Sequence, residues 1–501
     1  MSKFYITTPI YYSNAEPHIG SAYPTIAADV LARYHRLRGE EVRYLTGVDE
    51  HGQKMSDSAA AANKSPQEFC DEMAAKWQFA WDALDISNDD FIRTTSNRHK
   101  DGVAKLLLKL KEAGAVYEGK YEGYYCKGCE AFVTEKDLID GKCPVHQTKP
   151  ELIEEKNYFF NLKKYLPEVE RLIDTDKIRI LPASKKKEVL GLFKQELSDF
   201  SISRQNLKWG IPLPWDPTQV AYVWADALSN YINALGYGSD DETMLNKFWP
   251  ADVHVIGKDI IKFHCIFWPA MLLAAEIQPP QTVFAHGFFT VDGQKMGKSL
   301  GNIIDPLELV KGFGADAVRY LLLSQFPFGQ DGDIKAEKFV TQYNSDLANG
   351  IGNFSSRVTA MAEKYFNGSV PGNRDSELKA ETEKIIGQYD QAMADFLPDG
   401  GIEAVKALVA LGDAYVEKNK PWELAKSDTK RLEEVIYNLL ELLRHVGVLL
   451  WPVMPETAGK ILSSLGQDKF TGQDYKNLIV WGLLEPQGKV EKISGLFPRI
   501  Q

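Results

Sequence analysis

Two stretches of this 501-residue sequence alternate strand-like and helix-like patterns in the order that builds a parallel sheet. Residues 3–8 and 42–46 are rich in β-branched and aromatic residues, which predicts strands. Between them, over 26–37, apolar residues recur at helical spacing. Short buried-strand patterns return at 253–256 and 283–285, again with a helical pattern between them. Because parallel strands need a crossover connection, this order constrains the chain to an α/β sheet built in two halves.

This order is typical of a Rossmann-type fold, whose ligands lie beyond the carboxyl ends of the strands. We expect residues 1–115 and 226–300 to supply the two halves of the sheet domain and residues 116–225 to form a connective insertion. Residues 301–345 are expected to link this domain to the C-terminal third of the chain. From residue 346 onwards the apolar positions alternate steps of four and three, which predicts an all-α helical bundle over 346–501.

The composition is that of an ordinary soluble protein, with 44% hydrophobic and 25% charged residues. The longest uncharged apolar run, residues 265–275, is too short to span a bilayer. The N-terminus leads directly into a strand pattern, without a secretory or transit signal, so we expect a cytoplasmic protein with no membrane partner. A net charge of −11 gives no general basic surface, so any contact with RNA must be local.

A glycine- and lysine-rich segment, residues 286–302, follows the last predicted strand. Lys295 and Lys298 lie among its glycines, and two cations on a pliable loop suit a polyphosphate. One alternative is a P-loop, but that motif needs four residues between its glycines, whereas three separate Gly293 from Gly297. A charged surface turn is a second alternative that this segment alone leaves open.

His18 lies between the first predicted strand and the helix that follows it. At a helix N-terminus the free backbone N–H groups and the helix dipole favour phosphate, and an imidazole can donate a hydrogen bond to it. Gly20 would let a flat ring approach the backbone. A loop histidine without a function is the alternative at this stage.

Three of the five cysteines cluster with a histidine in two pairs of equal spacing. Cys126 and Cys129 form the first pair, and Cys143 and His146 form the second after thirteen intervening residues. Such pairs suit one tetrahedral Zn²⁺ with a closed, structural ligand set. A redox-active Cys-x-x-Cys pair is the alternative, which the second pair makes weaker.

Several polar or aromatic residues outside these motifs have two interpretations. Asn353 and Arg357 lie close together on the helical face that the apolar stripe leaves free. Trp422 could stack on a nucleic-acid base or could be a core residue at a helix start. The basic run 185–187 is more typical of a solvated face than of an RNA contact.

With these motifs in place, the sequence resembles bacterial-type methionyl-tRNA synthetases over nearly its whole length. The resemblance rests on His18-Ile19-Gly20-Ser21 for the HIGH motif, on the single zinc knuckle and on the KMGKS loop. The resemblance extends to two longer segments, SRQNLKWGIPLP at 203–214 and VIGKDIIKFHCIFWPAML at 255–272. It also includes Asn353, Arg357 and the later Pro-Trp. Two positions depart from the pattern. Ser21 removes one imidazole from the phosphate site, and Gly297 replaces a serine and adds freedom to the loop.

The resemblance implies that L-methionine is activated with ATP to methionyl-adenylate and transferred to the 3′-terminal ribose of tRNA(Met). It implies Mg²⁺ with ATP, one structural Zn²⁺, a stem-contacting segment at 301–345 and, most simply, a monomer. Catalytic charge stabilisation would fall to His18, Lys295 and Lys298. The remaining family positions are those for ATP (His18, Gly20, Ser21, Gly257, Asp259, His286, Lys298), for methionine (Ile10, Tyr12, Asp49, Trp224, Ala227, Tyr231, Ile260, His264, Trp268) and for the anticodon (Asn353, Arg357, Trp422).

Three other functions compete with this expectation. Synthetases of the same class for leucine, valine or isoleucine carry a much larger insertion than about 110 residues. A P-loop NTPase would hydrolyse ATP without an amino acid and would need an acidic strand for Mg²⁺ that the sequence does not offer. A zinc-containing RNA-binding protein would never form an adenylate, and the aromatic residues assigned to the methionine pocket would then be core residues.

Overall fold

The computed structural model describes residues 2–126, 131–133, 138–144, 147–291, 293–295, 302–468, 470, 472 and 474–501. Its strands, in chain order, are β1 Lys3–Thr7, β2 Tyr11–Tyr12, β3 Glu41–Asp49, β4 Asp90–Arg93, β5 Val116–Cys126, β6 Ala131–Val133, β7 Glu151–Phe160, β8 Arg179–Leu181, β9 Phe200–Ser201, β10 Ser203–Arg204, β11 Pro212–Leu213, β12 Asp216–Ala221, β13 Val253–Gly257, β14 Thr282–His286, β15 Phe289–Val291, β16 Gln294–Lys295 and β17 Gly332–Ile334.

The α-helices, in chain order, are α1 Ile19–Leu37, α2 Gln53–Ala61, α3 Pro66–Ala83, α4 Asn97–Glu112, α5 Leu166–Asp174, α6 Ala183–Phe193, α7 Val223–Ala227, α8 Asn230–Asn233, α9 Thr243–Phe248, α10 Trp268–Ala274, α11 Pro306–Phe313, α12 Ala315–Leu323, α13 Ala336–Gln342, α14 Asn353–Phe366, α15 Lys379–Ala394, α16 Pro398–Asn419, α17 Pro421–Ser427, α18 Thr429–Leu450, α19 Pro455–Ser464 and α20 Tyr475–Leu478. Wider π-helical turns precede α10 and α14, at Phe263–Phe267 and Tyr343–Gly352. None of the helices within the described ranges is both long and apolar enough to cross a lipid bilayer.

The central sheet runs in the order β2-β3-β1-β13-β14-β8, with β4 added beside β3, and every pairing in it is parallel. This confirms the predicted Rossmann-type sheet in two halves. The halves meet where β1 pairs with β13, in a register that sets Thr7 opposite His254. From this junction the chain winds outward in both directions, so the carboxyl ends of β1 and β13 form the crevice in which such sheets bind ligands.

The edge strand β8 corrects the prediction that residues 116–225 are one continuous insertion. Arg179–Leu181 pairs in parallel with β14 and so belongs to the central sheet. The segment therefore leaves the sheet twice. It first forms β5, β6 and β7 of an antiparallel sheet. After β8 and α6 it adds β9 to that sheet and then forms the small sheet β10-β12-β11. A three-residue strand between two helices is too short to show a period of its own in the sequence, which explains the error.

Helix α1 begins at Ile19, seven residues before the first residue of its apolar pattern, Ile26. His18 is the N-cap, and its ring nitrogen Nδ1 accepts a hydrogen bond from the Gly20 amide at 3.0 Å. The Ser21 hydroxyl completes a capping box with the backbone of His18. Because these polar residues satisfy the free N–H groups of the first turn, the helix starts before its first apolar repeat.

A buried ion pair joins α1 to the C-terminal helices. Asp29 on α1 and Arg319 on α12 are both fully buried, and their nearest oxygen and nitrogen atoms are 2.7 Å apart. The same guanidinium donates to the carbonyls of Pro452 and Val453, between α18 and α19. The helices from α14 to α19 pack around a common apolar core, which confirms the predicted bundle. The bundle is thus tied to the helix that starts at His18.

Candidate active site and RNA-binding surface

His18 and the first turn of α1 lie at the carboxyl end of β1. Since Nδ1 of His18 accepts a hydrogen bond from Gly20, a neutral ring carries its proton on Nε2, at the opposite edge from the helix. That edge is a hydrogen-bond donor suited to an anion. Ser21 is nearly fully buried, with its hydroxyl bonded to the His18 backbone at 2.8 Å. Its hydroxyl therefore serves the helix start, and a role in ATP binding stays a prediction.

The lysine-bearing segment is attached to α1 at both of its ends. Before the loop, the edge of the Tyr23 ring faces His286 and Phe289, with ring centroids 6.0 and 5.6 Å apart. After the loop, the Ile19 amide donates to the Ile304 carbonyl at 3.1 Å. The described residues on both sides of the lysines therefore lie beside the N-terminus of α1, although more than 260 positions separate them from that helix in the sequence.

The two lysines themselves are described only in part. The backbone of Lys295 lies in β16, opposite Thr290 of β15, and its side chain is outside the described structure. Lys298 and the rest of residues 296–301 also lie outside the described residues. The hairpin that leads to them is fixed by Asp333, whose carboxylate accepts from the Thr290 hydroxyl at 2.6 Å and the Gly293 amide at 2.7 Å.

Gly257, Asp259 and His286 form a second group, at the carboxyl ends of β13 and β14. Gly257 and His286 are direct register partners. A β-carbon at Gly257 would lie 2.6 Å from a carboxylate oxygen of Asp259 and 3.8 Å from Nε2 of His286, so the three residues converge on one small space. His286 donates through Nδ1 to the Gly287 carbonyl at 2.8 Å, and burial lowers its pKa to about 4. Its Nε2 is therefore a hydrogen-bond acceptor at neutral pH.

Tyr231 and His264 form a buried hydrogen-bonded pair in the predicted methionine site. Nδ1 of His264 lies 3.0 Å from the Ile260 carbonyl, which can only accept, so this nitrogen carries the proton. Nε2 must then accept from the Tyr231 hydroxyl at 2.7 Å. Burial lowers the pKa of His264 to about 4, with the Ile260 carbonyl offsetting part of the shift. Trp268 is fully buried beside Tyr231, with ring centroids 6.3 Å apart.

Of the other predicted methionine contacts, Trp224 packs against this pair. Trp224 stacks flat on Phe263, with centroids 3.8 Å apart, and stands edge-on to His264. Asp49 is nearly fully buried at the end of β3, opposite Tyr12 of β2. Five of the predicted residues belong to or pack against one apolar cluster: Ile10, Trp224, Tyr231, Ile260 and Trp268. Ala227 is buried on the same short helix as Trp224.

Two groups of buried polar residues near this site were not predicted. His254 bonds Thr7 at 2.7 Å, and its ring lies 4.1 Å from that of Tyr231. Asp226 accepts hydrogen bonds from His51 and His99. The strand patterns predict that Thr7 and His254 lie on neighbouring strands, but not that they pair. Nothing local in the sequence distinguishes Asp226 from a solvent-exposed acid.

The predicted anticodon residues lie at the surface of the helical bundle. Asn353 is exposed at the start of α14, and Arg357 follows one turn later. The Arg357 guanidinium pairs with Glu417 at 2.7 Å and approaches Asp413 at 3.7 Å, both on α16. Trp422 is 40% exposed in the first turn of α17, directly after α16. An exposed indole suits stacking on a base, and Trp422 is not a core residue.

Of the predicted zinc ligands, the structure describes Cys126 and Cys143. Cys126 ends β5 and pairs with Ala131 of β6, and the residues that join them include Cys129. Cys143 is also buried, and its carbonyl accepts from the Gln147 amide at 2.8 Å, one residue beyond His146. Cys129 and His146 lie outside the described residues. Among the described residues alone, no three candidate ligands meet at one point, and neither Cys126 nor Cys143 forms a disulfide.

Together, the parallel sheet in two halves, the histidine at the start of α1 and the lysine segment attached to that helix define a class I aminoacyl-tRNA synthetase. The family described as "tRNA synthetases class I (M)" matches residues 4–149 and 128–359, and "Anticodon binding domain of methionyl tRNA ligase" matches residues 366–500. The chain belongs to the methionyl-tRNA synthetase family.

Known methionyl-tRNA synthetases are similar to this chain over nearly its whole length. Methionine–tRNA ligases from Thermotoga maritima and Streptomyces coelicolor are 45% and 42% identical, covering 99% of this chain and 80% and 97% of their own lengths. Mycobacterium tuberculosis methionyl-tRNA synthetase in complex with methionyl-adenylate is 38% identical, with a TM-score of 0.95 and complete coverage of both chains. The free form of the Mycobacterium enzyme gives a TM-score of 0.86 at 35% identity, covering 100% of this chain and 99% of its own.

The neutral histidines of the site make stability depend on pH. The folded pKa of His264 is about 4, below the ordinary value of 6.5, so the unfolded chain binds more protons between these limits. The contribution of neutral His264 to the free energy of unfolding is therefore fully present above pH 6.5 and is lost as the pH falls towards 4. Since one proton changes the slope by about 1.4 kcal/mol per pH unit, His264→Gln should flatten the pH dependence of urea unfolding by about that amount. Parallel slopes for the two proteins would contradict this.

Proposed function

We propose that this chain carries out the reaction of its family with the residues described above. L-Methionine is activated with ATP to methionyl-adenylate, and the methionyl group is transferred to the 3′-terminal ribose of tRNA(Met). The observation that carries the residue assignment is the attachment of the lysine segment to α1 through Ile19 and Ile304. It supports one phosphate site shared by His18 and Lys298.

The activation step needs no protein nucleophile. The methionine carboxylate attacks the α-phosphorus, a new P–O bond forms, and the bond to the bridging oxygen breaks as diphosphate leaves. Catalysis therefore rests on positioning the reactants and on stabilising charge on the phosphoryl oxygens. We assign this stabilisation to Nε2–H of His18 and to the ammonium groups of Lys295 and Lys298. Mg²⁺ bound with ATP would neutralise further charge on the triphosphate.

The group formed by Gly257, Asp259 and His286 suits the nucleoside end of ATP. The Asp259 carboxylate is exposed and can accept from sugar hydroxyls. Gly257 has no side chain where one would collide with that carboxylate. His286 presents a neutral acceptor at the same place. These features support the ATP-binding assignment.

The methionine site combines an apolar pocket with one buried charge. The thioether is polarisable and favours contact with aromatic rings, which Trp224, Tyr231 and Trp268 offer. Because the Tyr231 hydroxyl donates to His264, its oxygen still has lone pairs to present, and the pair stays uncharged at neutral pH. Asp49 is nearly fully buried and is proposed to bind the substrate ammonium, since a carboxylate forms charge-assisted hydrogen bonds with an ammonium group.

The knuckle ligands Cys126, Cys129, Cys143 and His146 are proposed to hold one Zn²⁺. Thiolates with one imidazole fit zinc, and four protein ligands leave no open position, so the ion would fasten the two chain reversals without joining the chemistry. We further propose a cytoplasmic monomer.

The domain division follows the prediction with one change. The sheet domain takes residues 1–115 and 226–300, and β8 is added to it from within 116–225. Residues 301–345 are proposed to contact the tRNA stem, and 346–501 to bind the anticodon.

The first test is isotope exchange between diphosphate and ATP. The purified chain should catalyse it with methionine, and faster exchange with leucine would contradict the substrate assignment. Lys298→Ala should lower the rate about a hundredfold, because charge stabilisation at the phosphate is lost. The matched control is Lys311→Ala, an exposed lysine on α11 that pairs with Glu308, and it should leave the rate unchanged. A near-normal rate for Lys298→Ala would refute its role.

Trp422→Ala tests the anticodon assignment. Loss of a stacked base costs about 1–3 kcal/mol, so the KM for tRNA in methionylation should rise about tenfold, while diphosphate exchange stays normal. Phe79→Ala removes another exposed aromatic, on α3, and should change neither activity. Equal loss of both activities in Trp422→Ala would count against an anticodon role.

Metal analysis of the purified chain should find one zinc per chain. Cys143→Ser should remove it, because a hydroxyl replaces a thiolate ligand. Cys70→Ser, at a buried cysteine outside the knuckle, should retain it. A chain without zinc, or a full complement in Cys143→Ser, would reject the proposed ligand set.

A further inference from the structure

A buried carboxylate bridges two histidines from distant parts of the chain. Asp226 on α7 is fully buried, and its two oxygens lie 2.7 Å from Nδ1 of His51 and 2.6 Å from Nε2 of His99. His51 follows β3 and His99 belongs to α4, so one side chain joins three elements. Burial disfavours the charge, but His51 and the hydrogen bonds from both rings outweigh it and lower the pKa of Asp226 to about 2.

The hydrogen bonds fix which nitrogen of each ring carries a proton. A carboxylate only accepts, so both rings donate to Asp226. His99 therefore carries a proton on Nε2 and His51 carries one on Nδ1. The amide nitrogen of Asn233 lies 3.3 Å from both Nδ1 and the backbone carbonyl of His99, so this ring has a second set of contacts.

This network lies between the two parts of the proposed amino-acid site. Asp226 stands between Trp224 and Ala227, which are assigned to the methionine side chain. His51 lies two residues after Asp49, which is assigned to the ammonium, and the His51 amide approaches the Asp49 carboxylate at 3.4 Å. The hydrogen bond from His51 to Asp226 thus links the end of β3, which carries Asp49, directly to α7, which carries Trp224 and Ala227.

Stability alone is a poor reason for such a network. Removing a carboxylate from water costs several kcal/mol, and well-packed apolar residues of similar volume often serve the fold equally well or better. Hydrogen bonds instead fix distance and orientation, which apolar contacts do only loosely. The surrounding loop is held in the same way, since Trp209 donates to the Glu50 carbonyl at 2.5 Å and Gly52 donates to the Trp209 carbonyl at 3.2 Å.

We propose that Asp226 is a positioning residue for methionine: through His51 it sets the separation between the ammonium site at Asp49 and the side-chain pocket at Trp224 and Ala227. This inference rests on the proposed function. It assigns no contact between Asp226 and substrate, so its loss should affect methionine binding more than ATP binding or the chemical step.

Asp226→Asn is the first test, in methionine-dependent diphosphate exchange. An asparagine keeps the size but turns one oxygen into an NH₂ group, which then faces a ring N–H. Because His99 keeps further contacts with Asn233, we expect His51 to be the ring that gives way. The KM for methionine should rise about tenfold, with the KM for ATP within about twofold and kcat within about threefold of wild type.

A pair of substitutions at His51 tests the same link if Asp226→Asn folds poorly. His51→Asn keeps an N–H donor near the position of Nδ1, whereas His51→Gln moves the donor outward to the position of Nε2. Both lose the imidazole, which stands edge-on to Trp209. His51→Asn should keep a methionine KM near that of wild type, and His51→Gln should raise it about tenfold.

Glu441→Gln is the matched control. Glu441 is also a fully buried carboxylate with hydrogen bonds to Arg444, but it lies on α18 of the helical bundle. It should lower the melting temperature without changing the KM for methionine. The proposal is overturned if Asp226→Asn lowers only the stability of the protein. It is also overturned if Asp226→Asn lowers kcat and raises the KM for ATP and the KM for methionine together, or if the two His51 variants have the same KM for methionine. A wild-type chain without methionine-dependent exchange would instead reject the proposed function itself.

Discussion

The hydrogen bond from the Ile19 amide to the Ile304 carbonyl is the constraint on which the phosphate site depends. It joins the first turn of α1 to the chain just beyond the lysine loop, while Tyr23 packs against His286 and Phe289 just before it. A flexible loop whose two ends are fixed loses much less freedom when it closes on a ligand than one with free ends. The described residues on either side of this loop are fixed in this way.

Helix α1 also connects the sheet domain to the C-terminal helices. Its polar start holds His18, and further along Asp29 pairs with Arg319, which bonds the turn between α18 and α19. Breaking a buried ion pair by removing one partner is strongly unfavourable, so this contact fixes the bundle against the sheet domain. The proposed ATP site is thus connected to the helical bundle through α1.

Much of this arrangement could be read from the sequence. The parallel sheet and the bundle follow from their hydrophobic periods, whereas the zinc knuckle stays a prediction from spacing. What could not be read are contacts made by single polar atoms across long separations. The three-residue strand β8 shows no period, and the early start of α1 depends on the side chains of His18 and Ser21 rather than on apolar repeats. The hydrogen bond from His51 to Asp226 joins residues 175 positions apart, and no local sequence pattern at either residue predicts it.

The most direct measurement is a crystal structure of the chain with methionine and a non-hydrolysable ATP analogue. A shared phosphate site requires Nε2 of His18 and Nζ of Lys298 each to lie within about 3 Å of oxygens on the same triphosphate. A structure that places Lys298 on the far side of the molecule from His18, with the triphosphate bound, would contradict it.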